Sequence, residues 1–301
     1  MNTFYFAPFQ FILSSSSPLP LLGTTLRGGF GHIFKKIICL TKEKNCSRCF
    51  LVYTCPYSYI FQTPLPPDSL VFRKTKDIPR PFVFSLNNEK YSFDLILIGK
   101  GTQYLPYFLL VFDALGKKGI GKNRVKFSLE EVKDGEGRIV YSGKDKLLSP
   151  SFKIYTWEEF QKGHFSGKTI LIRFLSPLRI KEKKKLIKEI TFSLFIRSLV
   201  RRISLLSYFH CNFPLWSNLE PLLSFADRVK VKERNLTWKE ISRYSTRQKE
   251  RMKLGGVVGE IVFEGEVEPF LPLLRIGEFV HAGKGTTFGL GKYKICDIGE
   301  S

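Results

Sequence analysis

The order of segments in the sequence predicts an α+β chain made of two tandem βαββαβ units, one over residues 1–166 and one over 167–301. Three observations carry this reading. Each half runs strand, helix, strands, helix, glycine loop, strand; the helical stretches are amphipathic; and a polar, glycine-bearing stretch, 142–167, separates the halves. Two ferredoxin-like (RRM-like) domains follow, each an open antiparallel sheet with helices on one face, and a cleft is expected between them.

In the first half, residues 3–13 are β-rich and end in a Ser/Pro loop. A helix is predicted over Gly23–Ile38, because Leu26, Phe30, Ile33, Phe34 and Ile37 recur at helical spacing; Thr24 or Thr25 is placed to cap it. Gly28, Gly29 and Gly31 are poor helix formers, which suggests close approach by another element. Residues 81–98 read as two strands around Asn87-Asn88, followed by a helix over 103–115, the loop Gly116–Lys122, and strands at Val125–Val132 and Arg138–Tyr141. The second half continues with a strand at 168–175, an amphipathic helix at 190–209, strands at Val257–Val267 and Lys292–Ile298, and a helix near 269–280.

The 301 residues include 48 Lys+Arg against 27 Asp+Glu, a formal charge of +21. With 43% hydrophobic and 14% aromatic residues the chain can build a core, which excludes global disorder. Charge of this size is self-repelling unless a polyanion is the usual company, so nucleic acid and an acidic membrane surface are the two partner classes. No run reaches the ~18 apolar residues of a spanning helix. Phe4–Leu13 contains Pro8 and Gln10 and lacks a basic lead-in, so it does not resemble a secretory signal. The expectation is a cytoplasmic, nucleic-acid-binding protein with no membrane partner.

Basic residues concentrate in two runs. Lys168–Arg202 holds eleven Lys/Arg and two acids, and Asp227–Lys253 holds ten and four. Phosphate contacts there would supply affinity, with Tyr208, Phe209, Trp238 and Tyr244 available to stack on bases. Four cysteines, Cys39, Cys46, Cys49 and Cys55, fall within 17 residues. The two-residue gap of Cys46 and Cys49 suits a tetrahedral metal, and Lys42, Lys44 and Arg48 would favour thiolates, so a structural zinc is weighed evenly against a merely packed loop. Cys211 and Cys296 read as small apolar residues.

Residues 281–292 pack four glycines and two lysines into a dozen positions. Glycines allow backbone N–H groups to converge on a phosphate, which makes Gly283, Lys284, Gly285, Gly289, Gly291 and Lys292 candidate RNA contacts; the plainer reading is a turn needing positive φ. Lys292 precedes Tyr293 rather than Ser/Thr, and the loop has neither Walker A nor GxGxxG spacing, so no nucleotide cofactor is expected.

Leu26-Arg-Gly-Gly-Phe-Gly31, Cys55-Pro-Tyr57 with Phe61, Gly119-Ile-Gly121-Lys122, Phe174-Leu-Ser-Pro-Leu-Arg179, Ser242-Arg-Tyr-Ser245 and Gly283–Lys292 occur in that order. Together they resemble the CRISPR-associated endoribonucleases of the RAMP superfamily that process precursor CRISPR RNA, over about residues 6–296. The resemblance implies two ferredoxin-like domains that bind repeat RNA across their cleft. It further implies cleavage within the repeat without metal or other catalytic cofactor, leaving a 2′,3′-cyclic phosphate. Non-cleaving relatives share the fold, so an RNA-binding subunit of a CRISPR effector complex is the alternative, with other effector subunits as partners.

The family typically places its catalytic histidine on the first helix, where this chain has His32; Lys35 and Lys36 lie at i+3 and i+4. Basic neighbours would keep His32 neutral enough to act as a base. His281, at the mouth of the glycine loop, is its rival or partner, while His164 and His210 read as loop and helix-end residues. Arg197, Arg201, Arg202, Arg243 and Arg247 complete the expected RNA contacts.

Overall fold

The computed structural model describes residues 1–67, 78–87, 89–162, 167–183, 185–216, 218–245 and 250–297. The chain separates into two compact units, Met1–Tyr155 with Leu205–Phe213, and Thr156–Ser204 with Pro214–Ser301. The sequence placed the division at 166–167. It falls earlier because the short strand ending at Thr156 still pairs with the first sheet, and residues 163–166 lie outside the described residues.

In the first unit, β1 (Tyr5–Ser14) leads into α1 (Gly23–Ile38), then β2 (Phe82–Ser85) and β3 (Ser92–Ile98), α2 (Leu105–Lys118) and β4 (Ser128–Asp134). The strands align β2-β3-β1-β4, the order expected of one βαββαβ unit, and β5 (Ile139–Ser142) and β6 (Leu147–Leu148) extend the β4 edge. β7 (Tyr155–Thr156) pairs with β1 off this path. Register puts Phe9 opposite Leu95 and Phe11 opposite Phe93, so alternate residues of β1 face the helices. There Phe30 of α1 stacks on Phe108 of α2 at 4.4 Å, with Phe84 and Phe112 within 6 Å of it. Burying a Phe side chain contributes about 1.5–3 kcal/mol, so this aromatic layer explains how a chain rich in Phe spends most of them on its core.

The bounds of α1 match the expected helix, but Leu22 is its N-cap and no side chain caps it; neither Thr24 nor Thr25 does. Two of its glycines do mark close approach: a Cβ on Gly31 would collide with the Phe61 ring, and one on Gly29 would lie 3.1 Å from Leu115. Gly28 meets nothing.

The second unit opens with α3 (Trp157–Phe160) and repeats the grammar: β8 (Thr169–Leu178), the ribbon β9 (Lys181–Glu182) with β10 (Lys185–Leu186), α4 (Phe192–Leu206) and α5 (Glu220–Ala226). β11 (Lys230–Lys239), the hairpin β12 (Ser242–Ser245) with β13 (Glu250–Lys253), β14 (Gly256–Glu264), α6 (Leu271–Val280) and β15 (Tyr293–Asp297) complete it. The main sheet runs β11-β14-β8-β15, again the order of a βαββαβ unit. Phe195 of α4 packs on Phe174 and Tyr293, and Phe192 on Phe263 and Phe270. The second basic run, read only as a charged segment, forms an edge strand and a hairpin; lysines along an exposed edge resist pairing with another sheet. Among the described residues no helix is long and apolar enough to cross a membrane.

Candidate active site and RNA-contact residues

In the first unit, α1 presents His32 on its solvent side between the buried Gly31 and Ile33. Its Nε2 lies 3.2 Å from the ammonium of Lys118, which comes from the last turn of α2. The packing of α1 against α2 brings these residues together. An ammonium only donates, so Nε2 accepts and the neutral ring carries its proton on Nδ1. Partial burial first, then Lys118, Arg124 and Lys36, lower the His32 pKa.

Sequence reasoning missed Lys118 and Arg124. The only signal was their place in and beside the Gly116–Lys122 loop, where Gly119 and Gly121 adopt positive φ and turn the chain back toward α1. Lys35 leaves this group: its Nζ donates to the carbonyls of Glu43 and Lys44, at 3.1 and 3.0 Å. It therefore ties down the cysteine loop, while Lys36 remains near the imidazole.

The glycine turn belongs to the second unit. Gly283, Gly285, Gly289 and Gly291 all have positive φ, and a Cβ on Gly291 would collide with the Ala282 carbonyl. Backbone N–H groups of Ala282, Lys284, Phe288, Gly289, Leu290 and Gly291 donate to carbonyls of the turn itself or of the segment around Pro177 and Arg179. Lys292 N–H donates to Ser176 Oγ, whose hydroxyl donates to the Gly289 carbonyl. Most of the expected phosphate donors are thus committed within the fold, and Lys284 is the exposed cation of the turn.

His281 caps α6 with φ 61 and is fully enclosed, which differs from an accessible rival to His32. Its Nδ1 lies 3.2 Å from the Leu290 carbonyl and Nε2 has no partner. Burial, and after it Lys292 and Arg202, push its pKa down to about 3. A donor is required at the Leu290 carbonyl, so the ring is neutral with its proton on Nδ1.

Arg202 also departs from the expected RNA-contact role. It is buried, its Nε donates to Val280 O at 2.9 Å, and burial brings its pKa to about 9. The carbonyl end of α6 supplies the negative pole this cation needs. Arg197 and Arg201 are exposed one turn apart on α4, with Arg197 also 3.2 Å from Asp227. Arg243 lies on β12, opposite Met252. Arg247 and His164 lie outside the described residues. His210, read as a plain helix-end residue, is fully buried in the first unit: Nε2 donates to Pro79 O at 2.8 Å and Nδ1 accepts from Tyr59 OH at 3.1 Å.

Cys39, Cys46, Cys49 and Cys55 line one apolar cavity of about 230 Å³ beneath the loop. Thr41 Oγ1 lies 3.4 Å from the Cys49 sulfur and 4.0 Å from that of Cys39. No three His, Cys, Asp or Glu side chains among the described residues are grouped to hold a metal ion as they stand, and a structural zinc on these cysteines is kept as a proposal beside the packed loop.

Residues 4–152 match a family model described as an N-terminal domain, and residues 172–293 match that of the CRISPR-associated endoribonuclease Cas6. An uncharacterized protein of Archaeoglobus fulgidus is 25% identical over 291 residues, which is 92% of each chain. Among solved structures, a Cas6 product complex superposes with TM-score 0.61 at 15% identity, over 98% of this chain and 100% of that one. Thermus thermophilus Cas6 superposes with TM-score 0.57 at 15% identity, over 97% and 99%. A chain of a partial Cas6-RT-Cas1–Cas2 complex does so with TM-score 0.58 at 15% identity, over 98% of this chain and 46% of its own. These structural likenesses agree with the tandem ferredoxin-like fold, and residues 172–293 match the domain of the CRISPR-associated endoribonuclease family Cas6.

Proposed function

We propose that the protein is an endoribonuclease that binds CRISPR repeat RNA and cuts precursor transcripts within the repeat. The observation that carries this reading is the His32 imidazole on the solvent side of α1, 3.2 Å from the Lys118 ammonium and held toward its neutral form by partial burial and then by Lys118, Arg124 and Lys36, in a chain with a Cas6 domain. A neutral imidazole beside several cations is what attack of a ribose 2′-hydroxyl on its own phosphate requires.

When RNA occupies the site, Lys118 turns from His32 to the scissile phosphate and frees Nε2 to take the 2′ proton. The 2′-oxygen bonds to phosphorus and the bond to the 5′-oxygen breaks. Lys118 protonates that leaving oxygen, giving a 2′,3′-cyclic phosphate and a 5′-hydroxyl. The imidazolium then returns its proton to Lys118, which restores the starting pair. Arg124 and Lys36 offset the charge that accumulates on the non-bridging oxygens. Exposed Arg197, Arg201 and Lys284 add phosphate affinity, and Arg243 and Arg247 belong to the same basic run. His281 and Arg202 hold the glycine turn, and Lys35 holds the cysteine loop.

The test is incubation of labelled repeat RNA with the purified protein in EDTA. A single cut with a cyclic phosphate on the upstream fragment is the expected result. Tight binding with no cut would move the chain to the non-cleaving alternative, and cutting that needs added magnesium would overturn the metal-free route.

A further inference from the structure

The loop from Cys39 to Cys55 is unlike the rest of the first unit's surface. Phe50 is 85% exposed, Leu40 82% and Tyr53 57%, in a protein that encloses most of its Phe residues completely. Around them stand the exposed Lys42, Lys44 and Arg48, which make no ion pair with any described residue; Glu43 is the loop's one acid.

This loop is built as a platform. Lys35 holds the carbonyls of Glu43 and Lys44 from α1. Asn45 Oδ1 accepts from Ser47 N–H at 3.2 Å, Cys49 N–H donates to Cys46 O at 3.2 Å, and Cys55 N–H to Leu51 O at 2.8 Å. The thiols turn inward to the cavity while Phe50 and Tyr53 turn outward.

We infer that this loop binds unpaired RNA flanking the cut, with bases stacked on Phe50 and Tyr53 and phosphates held by Lys42, Lys44 and Arg48. Exposed rings interleaved with unpaired cations are the two components of a single-strand site: every base offers a face to stack, and the backbone offers the charge. Three exposed cations against the single acid Glu43 favour a polyanion over an apolar protein partner. The tethered loop lowers the ordering cost of binding. Position agrees: the loop begins at the C-terminal end of α1, seven residues beyond His32, about 10 Å at 1.5 Å per residue. The inference rests on the endoribonuclease reading and extends it to unpaired RNA beside the cut.

The experiment compares a minimal repeat RNA with the same RNA carrying an unpaired flank of about ten nucleotides, a length within one single-strand site. The flank should tighten wild-type binding about tenfold or more, and the Phe50→Ala/Tyr53→Ala double variant should lose that gain. Lys42→Gln/Lys44→Gln/Arg48→Gln should reduce the log–log salt slope on flanked RNA by about 2. Affinity for, and cutting of, the minimal repeat should stay unchanged in both variants, which also verifies their folding. A flank that adds no affinity to the wild type, or an aromatic variant that keeps the gain, overturns the proposal while the endoribonuclease reading stands. A change of oligomeric state in the aromatic variant with RNA affinity intact overturns it in favour of a protein contact. Failure of the wild type to bind either RNA removes both readings.

Discussion

The two histidines that the sequence offered as equals occupy opposite environments. His32 stands on the solvent side of α1 among Lys118, Arg124 and Lys36, whereas His281 is sealed behind the glycine turn with Nδ1 committed to the Leu290 carbonyl. Both imidazoles are shifted toward the neutral form, and burial is the largest cause for each, yet only one ring can meet a substrate. A lowered histidine pKa therefore marks two jobs in this molecule. Exposed among cations it suits the base proposed for cleavage, and enclosed without a carboxylate it serves the fold.

The largest effect should come from His32→Ala. Removing a general base costs about 10²–10⁴-fold in rate, so single-turnover cleavage should fall by that much while the repeat-RNA Kd stays within a factor of about two. Cleavage at the wild-type rate would dissolve the distinction between the two histidines.

His281 should show its role in stability and pH. Its folded pKa of about 3 lies below the unfolded value near 6.5, so the folded state resists protonation. Stability is then unaffected above about pH 6.5 and is lost as pH falls from there toward 3, by on the order of 5 kcal/mol in full. Urea unfolding between pH 7 and 4 measures this loss. His281→Gln keeps a donor for Leu290 O without titrating and should flatten that slope; an unchanged slope would place the acid sensitivity elsewhere.

Lys118→Gln removes the proposed acid and should lower the rate at neutral pH by about a hundredfold, the low end of what such a group supplies. Removing this cation raises the His32 pKa toward 6.5, so the acid limb of the rate–pH profile should move to higher pH. An unmoved limb would separate Lys118 from the imidazole despite the 3.2 Å contact.

Much of the fold was legible. The bounds of α1 followed from apolar residues at helical spacing, and both sheet orders follow from the strand–helix grammar that local pattern reveals. The caps were not legible, because Leu22 ends α1 without the side-chain hydrogen bond that makes a cap visible in sequence. The site was legible only in part. His32 and Lys36 share one helix, so spacing relates them, but Lys118 is 86 residues away and meets His32 only because two helices pack on one sheet. Arg201 and Arg202 are neighbours in sequence and point about 100° apart on α4, so one is exposed and the other is buried against the end of α6. Likewise four cysteines in 17 residues line a common cavity, since spacing sets reach and the backbone sets direction.

Charge, element type and the repeated unit were carried by the sequence, because each depends on residues that are local or simply counted. Tertiary structure decided which cation meets which histidine, and which basic residues face water. Those outcomes depend on the packing of distant helices, where a turn of 100° per residue exchanges solvent for core.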